Sequence, residues 1–235
     1  MKKLRLAVQL IFTILTNGYM YGFLQGKIYR GNLKYACVPG LNCYSCPGAI
    51  ASCPIGALQA LLNRDGYHIP FGALGFLFLF GSLLGRLVCG WLCPFGLVQD
   101  LLHKIPVFRK RKRLPFHHVL KYGKYVVLAG LVCIGSLFLF GGFVKVPAFC
   151  KFLCPSGTLF GALPLLTANE SLRSQAGSLF FWKIGILLFI LILSVKVYRP
   201  FCQYLCPVGA IYGWFNRFSL VQIEWAGERC VSCKA

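Results

Sequence analysis

The dipeptide Cys-Pro followed two residues later by glycine occurs four times in the chain: Cys53-Pro54-Ile55-Gly56, Cys93-Pro94-Phe95-Gly96, Cys154-Pro155-Ser156-Gly157 and Cys206-Pro207-Val208-Gly209. In the last three a second cysteine stands four residues earlier, giving Cys89-Gly-Trp-Leu-Cys93, Cys150-Lys-Phe-Leu-Cys154 and Cys202-Gln-Tyr-Leu-Cys206. Thiols repeated at one spacing, each time at the mouth of a hydrophobic segment, form a ligand set. Proline suits the first position of a helix, where the missing N–H had no partner to lose. Each Cys-Pro therefore predicts the start of a short helix. The free N–H groups of its first turn face the sulfur, and a helix N-terminus favours a nearby anion.

The segments around these motifs predict a membrane protein. Of 235 residues, 57% are hydrophobic and 13% charged, with mean hydropathy +0.69. A bilayer crossing takes about 20 mostly apolar residues, and it must be helical because lipid cannot satisfy free backbone groups. Four stretches fit, near Leu6–Phe23, Ile69–Leu87, Leu120–Phe143 and Leu179–Val195. Met1-Lys-Lys-Leu-Arg5 resembles the basic flank of a signal peptide. No small-residue cleavage site follows it, and Asn17-Gly18-Tyr19 interrupts the apolar run, so the first helix is read as retained.

The formal charge is +20, from 25 basic and 5 acidic residues. The basic residues gather at helix ends, Lys2, Lys3 and Arg5 before the first helix and Arg109–Arg113 between the second and third. Positive flanks stay cytoplasmic, which predicts an inner-membrane protein with both termini in the cytoplasm. The basic run meets anionic lipid headgroups, and nucleic acid is not an expected partner. The few acids, of which only Glu224 and Glu228 pair at a helical spacing, argue against carboxylate-pair hydrolysis, and no phosphate loop or nucleophile elbow is present.

Two halves repeat, residues 1–113 and 114–222, followed by a short tail, 223–235. Cys53-Pro-Ile-Gly-Ala-Leu-Gln aligns with Cys154-Pro-Ser-Gly-Thr-Leu-Phe, and Cys93-Pro-Phe-Gly-Leu-Val-Gln with Cys206-Pro-Val-Gly-Ala-Ile-Tyr. The expected fold is all-α: four transmembrane helices in two parallel repeats, with a short helix after each Cys-Pro. Topology then sorts the cysteines into two levels. Cys89, Cys93, Cys202 and Cys206 form an inner level of four thiolates, the number a [4Fe–4S] cluster requires. Cys150, Cys154 and Cys53 form an outer level. Its fourth member is expected to be Cys46, which also precedes a proline, with Cys43 second.

The motif glycine has two readings, close approach of a cluster or neighbouring helix, or a small residue in a membrane helix. Arg86, Lys151 and Arg199 lie beside the paired motifs, where they compensate cluster charge or else snorkel to the interface. Cys37 is a spare ligand or disulfide partner, and Cys43-x-x-Cys46 admits a redox or disulfide reading. Cys133 reads as a buried inert thiol. Cys230-Val-Ser-Cys233 resembles the opening of a ferredoxin run and supplies further candidate ligands. His68 and His103 read as interfacial. His117-His118 either anchors the interface or moves protons near a quinone headgroup.

Gly85-Arg86 followed by Cys89-Gly-Trp-Leu-Cys93-Pro-Phe-Gly, together with Cys202-Gln-Tyr-Leu-Cys206-Pro-Val-Gly, resembles the membrane domain of the NapH-type and NosR-type polyferredoxins. The resemblance covers nearly the whole chain. It implies a membrane electron carrier linking a quinol pool, or a cytoplasmic donor, to a reductase or to maturation of a respiratory metalloenzyme. The third Cys-x-x-x-Cys-Pro, at Cys150, and the cysteine-rich first loop depart from that pattern. The expectation is a membrane protein with two [4Fe–4S] clusters, a redox partner protein, and a quinone as a further candidate cofactor. It passes electrons between a cytoplasmic or quinol donor and a membrane or outer-face acceptor. The alternatives are a membrane thiol–disulfide oxidoreductase and a metalloenzyme assembly factor.

Overall fold

The computed structural model describes residues 2–62, 71–106, 110–111, 114, 116–139 and 147–221. Cys230, Cys233 and His68 lie outside the described residues. The described chain is helical, with two isolated β-bridges, Cys37 to Ser52 and Arg111 to Val197, and no sheet.

The first half runs α1 (Lys2–Thr16), α2 (Met20–Gln25), a 3-10 turn (Asn32–Tyr35), α3 (Pro54–Leu62), α4 (Phe71–Leu84), α5 (Leu87–Trp91) and α6 (Pro94–Lys104). Next come α7 (His117–Leu120) and α8 (Gly123–Val127), which widens into a π-helical coil over Leu128–Leu139. The chain continues through α9 (Ala148–Phe152), a π-helical turn (Gly157–Ala162), α10 (Leu163–Ala168) and α11 (Glu170–Ser174). It closes with α12 (Ser178–Lys196), α13 (Pro200–Tyr204) and α14 (Pro207–Phe215).

Among the described residues two helices are long and apolar enough to cross a membrane, His117–Gly135 and Ser178–Lys196. Of the four expected spans, two meet that test of length and composition. The first apolar stretch stops at Thr16 because Asn17 and Gly18 break the helix before α2 begins. The second reaches only Leu84. There Gly85, at φ +51°, turns the chain, and a Cβ would meet Ser219 at 2.9 Å. The first break is legible as the Asn17-Gly18-Tyr19 interruption, whereas the second follows an unbroken apolar run up to Leu84.

The short helices tie the halves together. α6 packs against α12 and α1, while α14 packs against α4 and α8. The helices α6 and α14 thus each rest on a longer helix of the other half. The buried side chains form one continuous core that includes Cys53, Phe95, Cys154, Phe201, Cys206 and Tyr212.

Candidate metal centres

The three Cys-x-x-x-Cys-Pro segments share one local geometry. The first cysteine sits on a single-turn helix, α5, α9 or α13. That helix stops at a leucine whose N–H donates to the carbonyl four residues back: Leu92 to Val88, Leu153 to Phe149, Leu205 to Phe201. The second cysteine must then leave the helical region because proline follows it. Cys93 (φ −91°, ψ 116°) and Cys206 (φ −74°, ψ 116°) are both extended. Proline starts the next helix at once, in α6 and α14 as in α3. The elbow turns both sulfurs of a pair toward the same place.

Two groups of four sulfurs result. Cys206 lies within electrostatic reach of Cys89, Cys93 and Cys202, and Cys202 within reach of Cys93. Cys150 lies within reach of Cys154, Cys53 and Cys43, and Cys154 within reach of Cys43 and Cys53. Cys43, the second choice from the sequence, lies within reach of Cys150 and Cys154, whereas Cys46, the first choice, lies within reach of Cys43 alone among the thiols. Cys46 is fully buried elsewhere, and its thiol donates to Asn17 Oδ1 at 3.7 Å. Burial pushes both the Cys43 and the Cys46 thiol up from the ordinary value. Cys37 stands apart from both groups, against the Ser52 side chain. Cys133, expected to be buried, is exposed on its helix.

Three of the four motif glycines face sulfurs, while a Cβ on Gly96 would meet the Cys89 carbonyl at 3.2 Å. A Cβ on Gly157 would stand 3.6 Å from Cys43 Sγ and 3.8 Å from Cys154 Sγ. One on Gly56 would stand 4.0 Å from Cys150 Sγ, in the other half, and one on Gly209 3.9 Å from Cys206 Sγ. Close approach, not membrane packing alone, is what these positions provide. The Gly157 N–H also donates to Cys154 Sγ at 3.4 Å, as the first turn of a helix should.

Basic groups surround both sites. Arg199 takes the left-handed conformation (φ 46°) and donates from Nη1 to the Cys89 carbonyl at 2.6 Å. Its Nε donates to Asp100 Oδ1 at 2.6 Å, and Nη2 bonds the other carboxylate oxygen. Arg5 binds the same Asp100 and reaches the Gly90 carbonyl at 3.0 Å, which seats α1 on this site. Arg86 and Lys124 lie near Cys89. At the second site the expected Lys151 is exposed and lies over the Phe152 ring. Lys183 takes its place, donating to the Cys150 carbonyl at 3.3 Å and within reach of Cys43 and Cys154. Sequence reasoning missed it, although its signal is plain: a lone charge inside the apolar run of α12. Lys34 is buried beside Cys43 and Cys46, its ammonium pKa lowered by burial, and it donates to the Ala49 carbonyl at 2.6 Å. Gln99, also missed, is fully buried and donates to Cys202 Sγ at 3.2 Å.

These residues fit an iron–sulfur cluster. Four buried thiolates repel one another and need a cationic core between them, while the cluster they complete carries net negative charge that the nearby basic groups offset. Among the described residues no three of His, Cys, Asp or Glu lie close enough together to hold a single metal ion. A four-iron cube takes its sulfurs spread around its corners instead. Beside Cys89 and Cys202 opens a cleft of about 640 Å³, lined also by Arg86, His117, Lys121, Lys124 and Tyr198.

A family model described as a 4Fe-4S binding domain matches four segments, residues 52–67, 65–115, 126–166 and 179–223, each containing one Cys-Pro-x-Gly. An uncharacterized protein of Methanocaldococcus jannaschii, MJ0750, is 30% identical over 184 residues, 77% of this chain and 69% of that protein. The methylamine utilization ferredoxin-type protein MauN of Methylorubrum extorquens is 30% identical over 92% of this chain and 67% of its own. The regulatory protein NosR of Stutzerimonas stutzeri is 30% identical over 63% of this chain, which spans 18% of NosR. No solved structure matches.

Proposed function

The chain belongs to the 4Fe-4S binding domain family and is an iron–sulfur electron-transfer protein, and we propose that it is embedded in a membrane and carries two clusters. One is held by Cys89, Cys93, Cys202 and Cys206, the other by Cys43, Cys53, Cys150 and Cys154. The observation that carries this reading is that each group draws its four sulfurs from both halves of the chain and closes within one core.

When bound, each cluster supplies a reversible one-electron couple. The chain's own residues set the conditions for it. The core around Phe95, Phe149, Phe201 and Val208 excludes water. Arg199, Arg86 and Lys124 at one site, and Lys183 and Lys34 at the other, favour the more negative state and raise the potential. Gln99 donates to a thiolate sulfur, which acts in the same direction. The basic cleft beside Cys89 and Cys202 is where a ferredoxin-like partner or a quinol comes within reach of the first site. The acceptor then lies toward the second site, in the membrane or at its outer face.

Membrane embedding is supported by the outward apolar surface. Phe181, Trp182, Phe189 and Ile192 of α12, and Ile11, Ile14 and Leu15 of α1, are all exposed, a belt that water does not favour but lipid does. The sequence repeat supports four spans in two parallel halves with both termini cytoplasmic. Anaerobic purification in detergent tests the reading. The expected result is about eight iron and eight acid-labile sulfide per chain, four to each cluster, with visible absorbance that bleaches on reduction. Cys89→Ser and Cys154→Ser should each remove a different half. A colourless protein, or loss of the same half in both variants, refutes it.

A further inference from the structure

Position six after three of the four Cys-Pro cysteines is a polar place in the core, and after Cys154 it is Phe160. It holds Gln59 after Cys53, Gln99 after Cys93 and Tyr212 after Cys206, all fully buried. At one of these positions the purpose is visible: Gln99 donates across the repeat to Cys202 Sγ. Tyr212 is its counterpart in the second half, yet its hydroxyl finds no hydrogen-bond partner among the described residues. No cysteine sulfur serves either. Burying a hydroxyl without a partner is unfavourable, and natural cores rarely leave one so. Phenylalanine would fill the same space without that cost.

The surroundings say what the hydroxyl faces. Cys89 and Cys93 of one group lie within its electrostatic reach, and so do Cys53 of the other and Cys37. α14 carries Tyr212 between the two centres, packed on α4 and α8. An O–H in that place points at a region that protein atoms do not fill with an acceptor. Sulfur of a cluster held by the Cys89 group would supply one.

We propose that Tyr212 donates a hydrogen bond to the cluster held by Cys89, Cys93, Cys202 and Cys206, raising its reduction potential, from a position between the two centres. The inference rests on the two-cluster reading above and adds a named donor to it. A hydrogen bond to sulfur stabilises the more negative, reduced state, so its removal lowers the potential.

The test is an EPR-monitored redox titration of Tyr212→Phe beside the unaltered protein, with each centre identified by its loss in Cys89→Ser or Cys154→Ser. Iron and sulfide contents are expected to stay unchanged. The midpoint of the Cys89 centre should fall by about tenfold in its redox equilibrium, about 59 mV for a one-electron couple. 3-Fluorotyrosine at position 212 keeps the shape and sharpens the donor. It should move the same midpoint upward, and it serves if the phenylalanine variant fails to accumulate. Clusters present but with that midpoint unmoved in both forms, or a shift confined to the other centre, overturns the proposal. Absence of clusters from the unaltered protein would instead refute the reading beneath it.

Discussion

Asp100 is the buried carboxylate on which the first site hangs, and Asp100→Asn measures how much it carries. Its side chain is 12% exposed and that of Arg199 8%, whereas Arg5 is 31% exposed. Removing one partner of a buried pair costs about 3–5 kcal/mol, because the other charge stays buried and alone. The asparagine oxygen can still accept one guanidinium bond, which places the loss near the lower end, about 3 kcal/mol. The Arg5 share is that of a half-exposed pair, under about 1 kcal/mol. For a chain of this size, about 3 kcal/mol corresponds to a melting shift of about 6–12 °C. The loss should also be local. Without the carboxylate, Arg199 has less to hold it in the left-handed conformation from which it bonds the Cys89 and Gly90 carbonyls. The assay is thermal melting in detergent together with iron per chain. The expected outcome is a lower melting temperature and loss of the Cys89 centre, with the Cys154 centre retained. An unchanged melting temperature with full iron would show that Arg199 holds the Cys89 carbonyl without Asp100.

Cys43→Ser should remove the iron of one centre while Cys46→Ser keeps it, since the Cys46 thiol is turned toward Asn17; iron analysis of the two variants decides this. Lys183→Met exchanges the charge for apolar bulk of similar length, so the helix should persist while the Cys154 centre shifts to lower potential in a redox titration. Gly40→Ala tests whether the first loop touches the other site. Its Cβ would lie 2.9 Å from both Cys93 Cα and the Leu92 carbonyl, backbone that cannot swing aside. A loss of about 1–3 kcal/mol in thermal stability is expected, the usual penalty for overpacking, with partial loss of the Cys89 centre.

The motif repeat was legible because its cause is local. Proline forces both the extended cysteine and the helix after it, so one spacing yields one elbow three times. The proposed fourth ligand of the second group, Cys43, was not legible, because its cause is tertiary. Cys46 has the local mark, a following proline, but successive turns bond the Cys46 N–H to the Cys43 carbonyl and the Ala49 N–H to the Cys46 carbonyl. Those turns carry its side chain toward the end of α1. Cys43 is selected by the distant Gly157 and Gly161, whose missing side chains leave its sulfur room at 3.6 and 3.4 Å. Similarly, Arg199 was legible beside its motif, whereas Lys183 lies far from Cys150 in sequence and is brought to it by the packing of α12 on α9.

The two centres also lie closer than a sorting by loop ends implies. Arg5 bonds the Gly90 carbonyl beside Cys89, and the Thr16 carbonyl accepts the Ile50 N–H of the cysteine-rich loop. At 1.5 Å per helical residue those points stand about 17 Å apart along α1, well short of the roughly 30 Å hydrocarbon thickness of a bilayer. The loop shortens the path further. Gly40 touches the Cys93 backbone, and the next residue, Leu41, accepts from Ser156 Oγ at 3.4 Å in the motif of Cys154. One short stretch thus braces a motif of each centre, and Tyr212 fills the core between them. On the two-cluster proposal, the two thiol groups share one interior.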